Sequence, residues 1–166
     1  TSFIDQDDKQ ISASQFFCIT EDKKGQLWIG TDQGPIILTN PDNFNNSNFK
    51  CTRVKIPRND GTNDADLLLS DESILCITID GANRKWIGTK ESGVYLISED
   101  GLETIHHFTT QNSPLPSNMV FNIVINPETG EVYFGTENGL AAFRWDSGQG
   151  KNDFSNVYAF PNPVRP

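Results

Sequence analysis

Leu27-Trp28-Ile29-Gly30-Thr31 is a five-residue stretch that returns as Lys85-Trp86-Ile87-Gly88-Thr89 and again as Val132-Tyr133-Phe134-Gly135-Thr136. The aromatic positions 28, 86 and 133 are separated by 58 and 47 residues. A short aromatic strand with glycine punctuation, recurring at roughly 40–50 residues, marks a repeat array of the propeller type. Residues shared by all three copies are therefore expected to build the scaffold, and function is to be sought among those that differ.

The repeat extends outward on both sides. Cys18, Cys76 and Ile123 each stand ten residues before the aromatic, in the apolar runs Phe17-Cys18-Ile19-Thr20, Leu75-Cys76-Ile77-Thr78-Ile79 and Asn122-Ile123-Val124-Ile125. Polar turns follow, at 21–25, 80–83 and 126–130. After each Gly-Thr pair a second turn ends in Gly34, Gly93 or Gly139 and leads to Ile36-Ile37-Leu38, Val94-Tyr95-Leu96-Ile97 or Leu140-Ala141-Ala142-Phe143. A fourth strand is expected near 51–56, 104–109 and 157–160. Short strands rich in β-branched and aromatic residues, divided by Gly, Asn and Asp turns, read as antiparallel hairpins. Four strands per unit make a propeller blade. No stretch sustains helical periodicity, so the chain reads as all-β: a β-propeller fragment of about three four-stranded antiparallel blades, at 16–57, 73–109 and 119–160, after a lead-in over 1–15.

Both faces of these strands carry apolar residues, as expected where each sheet packs a neighbour on either side. Three blades fall short of the about four to eight that close a propeller. The chain starts at Thr1 with no signal peptide or apolar span, and so reads as a piece of a larger protein. Open end faces imply self-association, for instance as a three-plus-three ring.

Twenty-two acidic residues against 13 basic ones give a net charge of −9, which disfavours nucleic acid and anionic membrane surfaces as partners. Cys18, Cys51 and Cys76 form no disulfide framework and are expected as buried free thiols. Phosphate-binding loops, zinc motifs and nucleophile elbows are absent from the sequence. His106 and His107 are adjacent in a strand and should point to opposite faces, which argues against a shared metal. The chain is accordingly read as a non-enzyme without cofactor or metal.

Subtracting the repeat leaves a short set of candidates. Arg84-Lys85 stands where the other copies have Gln26-Leu27 and Glu131-Val132, so a cation replaces an apolar side chain next to Trp86. A rim or channel position for Arg84, Lys85 and Trp86 would suit an anionic or sugar ligand. The polar insertions over 40–48 and 58–66 are candidate binding loops, the latter with Arg58 and Asp60.

The Trp-Ile-Gly-Thr strand followed by a glycine-led strand resembles the two-component regulator propeller repeat. The segments 80–89, 92–98, 112–118 and 157–164 resemble the C-terminal propeller blades of PorZ-like surface proteins of the type IX secretion system. The resemblance implies an exported protein, periplasmic or on the outer-membrane surface of a Gram-negative bacterium, that binds other proteins and a saccharide or lipopolysaccharide glycan. It also implies that 161–166 begin a linker to a C-terminal β-sandwich missing here. The alternative is the periplasmic sensor propeller of a hybrid histidine kinase that binds a saccharide.

Overall fold

Each repeat folds into a hairpin because an Asx turn joins its first two strands. The computed structural model describes residues 3–58, 60–144 and 157–160. Its strands are β1 (Phe16–Glu21), β2 (Leu27–Thr31), β3 (Gly34–Leu38), β4 (Lys55–Pro57), β5 (Ala65–Leu67), β6 (Ile74–Ile79), β7 (Lys85–Thr89), β8 (Val94–Ile97), β9 (Thr104–Phe108), β10 (Val120–Ile125), β11 (Val132–Thr136), β12 (Gly139–Phe143) and β13 (Val157–Ala159). Between β1 and β2 the Asp22 carboxylate accepts the N–H groups of Lys24 and Gln26 at 2.9 and 3.0 Å. Asp80 does the same for Ala82 and Arg84, and the Asn126 amide oxygen for Glu128. This is the local reason that Asp and Asn sit where the chain reverses.

The sheets are antiparallel and ordered β1-β2-β3, β6-β7-β8-β9, β10-β11-β12-β13 and β4-β5. The first three are blades 1, 2 and 3. They stack through their first strands, with β6 packed on β1 and β2, and β10 packed on β6 and β7. One apolar cluster, with Trp28, Ile37, Ile74, Ile77 and Ile97, fills the space between blades 1 and 2. Another, with Trp86, Leu96, Phe108, Val120 and Phe134, fills the space between blades 2 and 3. The all-β blade architecture expected from the repeat is the one observed. No helix among the described residues is long and apolar enough to cross a membrane.

Each residue of the repeated motif has a separate mechanical task. Trp28 and Trp86 bury their rings against the following blade. The hydroxyls of Thr31, Thr89 and Thr136 donate to the carbonyls of Gly34, Gly93 and Gly139 at 2.7, 3.0 and 2.8 Å, closing the second hairpin turn. The glycine permits close approach. A Cβ at Gly30 would lie 2.6 Å from both the Cys18 Sγ and the Ile74 carbonyl of blade 2. At Gly88 it would lie 2.5 Å from the Cys76 Sγ and 2.9 Å from the Val120 carbonyl of blade 3.

Two expectations change in detail. Cys18 and Cys76 stand opposite Gly30 and Gly88, but Asn122, and not Ile123, stands opposite Gly135. The third turn is one residue longer, its Asn126 N–H bonding the Glu131 carbonyl where Asp80 bonds Arg84, and this shifts the register by one. The fourth strand expected at 51–56 is reduced to one bridge between Ile37 and Thr52. Beyond it, the Gln6 side-chain amide takes up the backbone of Arg53, accepting from its N–H at 2.9 Å and donating to its carbonyl at 2.8 Å. The chain then leaves blade 1 to pair β4 with β5. The lead-in thus covers the edge of blade 1, and Phe3 and Ile11 pack with Ile29, Ile36, Leu38 and Cys51. It holds a further copy of the Asx turn, with the Asp5 carboxylate accepting from Asp7 and Lys9 at 2.9 Å. The expected linker at 161–166 lies outside the described residues.

The thiols of Cys51 and Cys76 are buried, which pushes them up to about 11 and about 12. His106 lies near Phe108 and Phe143 of the blade 2–3 interface, and burial holds its pKa below the ordinary value. His107 stacks on Tyr95 with 3.8 Å between ring centroids, and its Nε2 lies 2.6 Å from the Ser92 carbonyl oxygen. Gly88→Ala should destabilise the fold by about 1–3 kcal/mol, the usual cost of overpacking, measured by thermal or urea unfolding. An unchanged midpoint would contradict the close approach of blades 2 and 3.

Candidate ligand-binding site

Lys85 begins β7 and is fully buried rather than set on an open rim. Its Nζ donates to the carbonyls of Asn83 and Glu99 at 2.9 and 2.7 Å. It also pairs with the Asp22 carboxylate of blade 1 at 3.3 Å and lies 4.7 Å from the centroid of the Trp28 ring. An ammonium has three protons, and these three acceptors use them. Trp28 Nε1 donates to the same Asp22 carboxylate at 3.3 Å. The group is an electrostatic clasp between blades 1 and 2, with no face open to a ligand.

Burial alone would push Asp22 upward, but the N–H groups of Gln26 and Lys24 and the Lys85 ammonium outweigh it and hold the carboxylate below its usual range. Its stabilising contribution is therefore present above the ordinary carboxylate pKa and is lost as acid protonates the folded state. Burial lowers the pKa of Lys85, opposed by Asp22. Asp22 escaped sequence reasoning because its partner belongs to the next blade, and its turn role explained it already.

The corresponding place between blades 2 and 3 is built differently. Val132 replaces Lys85, and the Asp80 carboxylate turns to Arg84 Nε at 2.6 Å. Trp86 is buried parallel to Phe108, with 6.3 Å between ring centroids, and tilted against Phe134 and Phe143. Its Nε1 has no hydrogen-bond partner among the described residues. Trp86 is therefore an interface residue, not a sugar-stacking surface, and Arg84 is tied to the turn that precedes it.

Arg58 and Asp60 lie on the exposed ribbon formed by β4 and β5. Arg58 reaches Asp66 Oδ1 through Nε and Nη2 at 3.0 and 2.6 Å. Asp60 accepts from the Thr62 N–H at 2.9 Å. The structure leaves both near solvent and gives each a partner within its own hairpin.

The other candidate loop, after β3, encloses a concave surface. Pro41 starts a 3-10 turn over Pro41–Asn43, and successive backbone bonds from Asn43 to Asn40, Asn46 to Asn43 and Phe49 to Asn46 wind the loop tightly. The Phe44 and Phe49 rings meet edge to face at 5.5 Å, and Phe3 of the lead-in packs on Phe44. The result is a cavity of about 170 Å³ lined by Thr39, Asn40, Asn43, Asn46, Asn48, Phe49 and Lys50. The lining residues carry four amides, a hydroxyl, an aromatic ring and the Lys50 ammonium, which pairs with Asp8 at 2.7 Å, while the Asn46 amide oxygen accepts from the Asn48 N–H at 3.1 Å. Among the described residues no group of three or more His, Cys, Asp and Glu side chains is placed to hold a metal ion.

Residues 10–33, which contain the first motif, match the two component regulator propeller family. Among solved structures, 99% of the chain superposes on 22% of PorZ, an essential bacterial surface component of the type-IX secretion system of Porphyromonas gingivalis, with 28% identity and a TM-score of 0.80. The chain thus spans about a fifth of that protein. The BT3049 extracellular domain from B. thetaiotaomicron, assigned to a hybrid two component system, matches 93% of the chain over 18% of its own length, with 23% identity and a TM-score of 0.62. A catalytically inactive virginiamycin B lyase from Staphylococcus aureus matches 90% of the chain over 42% of its own, with 18% identity and a TM-score of 0.55. The last two likenesses concern the fold alone. No curated protein matches the chain in sequence.

Lys85→Met should cost on the order of 3 kcal/mol in urea unfolding, because it strands a buried carboxylate. The double change with Asp22→Asn should recover part of that loss. A single-variant cost below about 1 kcal/mol, the scale of an exposed pair, would contradict the clasp.

Proposed function

We propose that this chain is a non-enzymatic interaction module of an exported protein, related in role to PorZ and holding protein partners and a saccharide on its loops. The observation that carries this reading is the backbone match over 99% of the chain to a surface component of a secretion system. The amide-lined loop after β3 supports a saccharide, including a lipopolysaccharide-derived glycan, as the ligand. Side-chain amides pair with vicinal hydroxyls as donor and acceptor at once, and Phe49 offers a ring to an apolar sugar face. Arg58 and Asp60 on the β4–β5 ribbon, with Arg84 at the β6–β7 turn, are the charged groups offered to protein partners.

A second reading, the extracellular sensor propeller of a histidine kinase, is favoured by the family match over 10–33. It uses the same loop and ligand class and differs in what the bound state controls.

The reading is tested by calorimetric titration of the chain with lipopolysaccharide-derived oligosaccharides. Saturable binding is expected, weakened about tenfold or more in the Asn43→Ala/Asn46→Ala variant, since each lost hydrogen bond to a ligand contributes about 0.5–1.5 kcal/mol. The absence of saturable binding, or equal affinity in the variant, would remove this loop as the site.

A further inference from the structure

Blades 1 and 2 carry the same two side chains in the same register, and only one of the two pairs is closed. Trp28 stands opposite Thr20 and Ile37, and Trp86 opposite Thr78 and Leu96. In the turn before each tryptophan an aspartate is held by its Oδ1 atom. Asp22 Oδ1 accepts from the N–H groups of Lys24 and Gln26 at 2.9 and 3.0 Å, and Asp80 Oδ1 from those of Ala82 and Arg84, both at 2.9 Å. The two carboxylates are thus fixed alike, and they differ in what Oδ2 receives. Asp22 Oδ2 accepts from Trp28 Nε1 at 3.3 Å. Asp80 Oδ2 accepts from Arg84 Nε at 2.6 Å, and Trp86 Nε1, on a side chain only 2% exposed, has no partner among the described residues.

The difference traces to one residue. Blade 1 has Gln26 where blade 2 has Arg84, so no guanidinium competes for Asp22 at that place. A charge-assisted bond is stronger than a neutral one, and Arg84 therefore holds Oδ2 against the indole. The Arg84 side chain is 31% exposed and that of Asp80 7%, with Gly81 and Ala82 of the same turn exposed. The donor that can leave faces solvent, and the donor that waits is buried.

We propose that Asp80 Oδ2 is exchanged between two donors: Arg84 holds it in this structure, and Trp86 Nε1 takes it when the guanidinium leaves. The exchange couples the exposed β6–β7 turn to the interface between blades 2 and 3, where the Trp86 ring packs against Phe108, Phe134 and Phe143. A buried donor without a partner gains the most from an acceptor, so loss of the outer bond is offset by an inner one. The coupling is reciprocal: what draws Arg84 away tightens the interface, and what tightens the interface frees Arg84. Its use by a carboxylate or phosphate group of a partner rests on the reading of Arg84 as a partner contact, whereas the exchange itself does not.

The test is the indole N–H resonance of Trp86, followed by NMR in the parent and in Arg84→Ala and assigned by its loss in Trp86→Phe. Alanine keeps the backbone N–H that closes the turn, so the circular dichroism should match the parent's. In Arg84→Ala the indole proton should move downfield, toward the bonded Trp28 signal, and exchange with solvent about tenfold or more slowly. The second variant is Arg84→Ala/Asp80→Asn. Asparagine keeps the turn, as Asn126 does in blade 3, but with its oxygen held there it offers Trp86 an amide donor where Oδ2 stood. The signal should then return to the parent's position. An indole signal unmoved by Arg84→Ala would overturn the proposal, as would the same shift in the double variant.

Discussion

The structure depends on one steric constraint: the second strand of a blade must let the first strand of the next blade approach its backbone. Gly30 and Gly88 meet that constraint, with a neighbouring carbonyl where a Cβ would stand. Once the strands are that close, the flanking tryptophans are sealed and the apolar clusters between blades become continuous. The packing depends on the missing side chain, and the stack depends on the packing. A sheet of short strands gains independent stability only by covering a face, and here each blade covers its neighbour.

The two internal interfaces reach closure by different chemistry. Between blades 1 and 2, Asp22, Lys85 and Trp28 satisfy one another in a buried polar group. Between blades 2 and 3 the same space is aromatic, and the Trp86 N–H has no acceptor among the described residues. An orphaned buried donor costs about 1–3 kcal/mol, offset here by the rings of Phe108, Phe134 and Phe143. A buried ion pair contributes little net energy but is costly to separate. It gives the first interface an identity that an apolar contact lacks.

Much of this was legible in the residues. The motif located β2, β7 and β11, and the polar turns located the hairpins, because the Asx and threonine bonds that make them are local. What stayed hidden was non-local. Lys85 looked like an exposed anomaly since its partner Asp22 lies in another blade. The edge of blade 1 was hidden because a glutamine side chain, Gln6, substitutes for a strand. One extra turn residue moved Asn122 into the place assigned to Ile123. The loop over 40–48 was recognisable as polar, but its concavity comes from the packing of Phe3, Phe44 and Phe49.

The loops over 40–48 and 58–66, where the proposed binding is placed, lie outside the shared scaffold. The central claim is that blades hold one another, so the blade covered on both sides should be the most stable. Native-state hydrogen exchange, followed amide by amide at low protein concentration, addresses it most directly. The account predicts that the amides of Lys85–Thr89 exchange more slowly than those of Leu27–Thr31 and Val132–Thr136. Exchange in the middle blade as fast as in either end blade would contradict it.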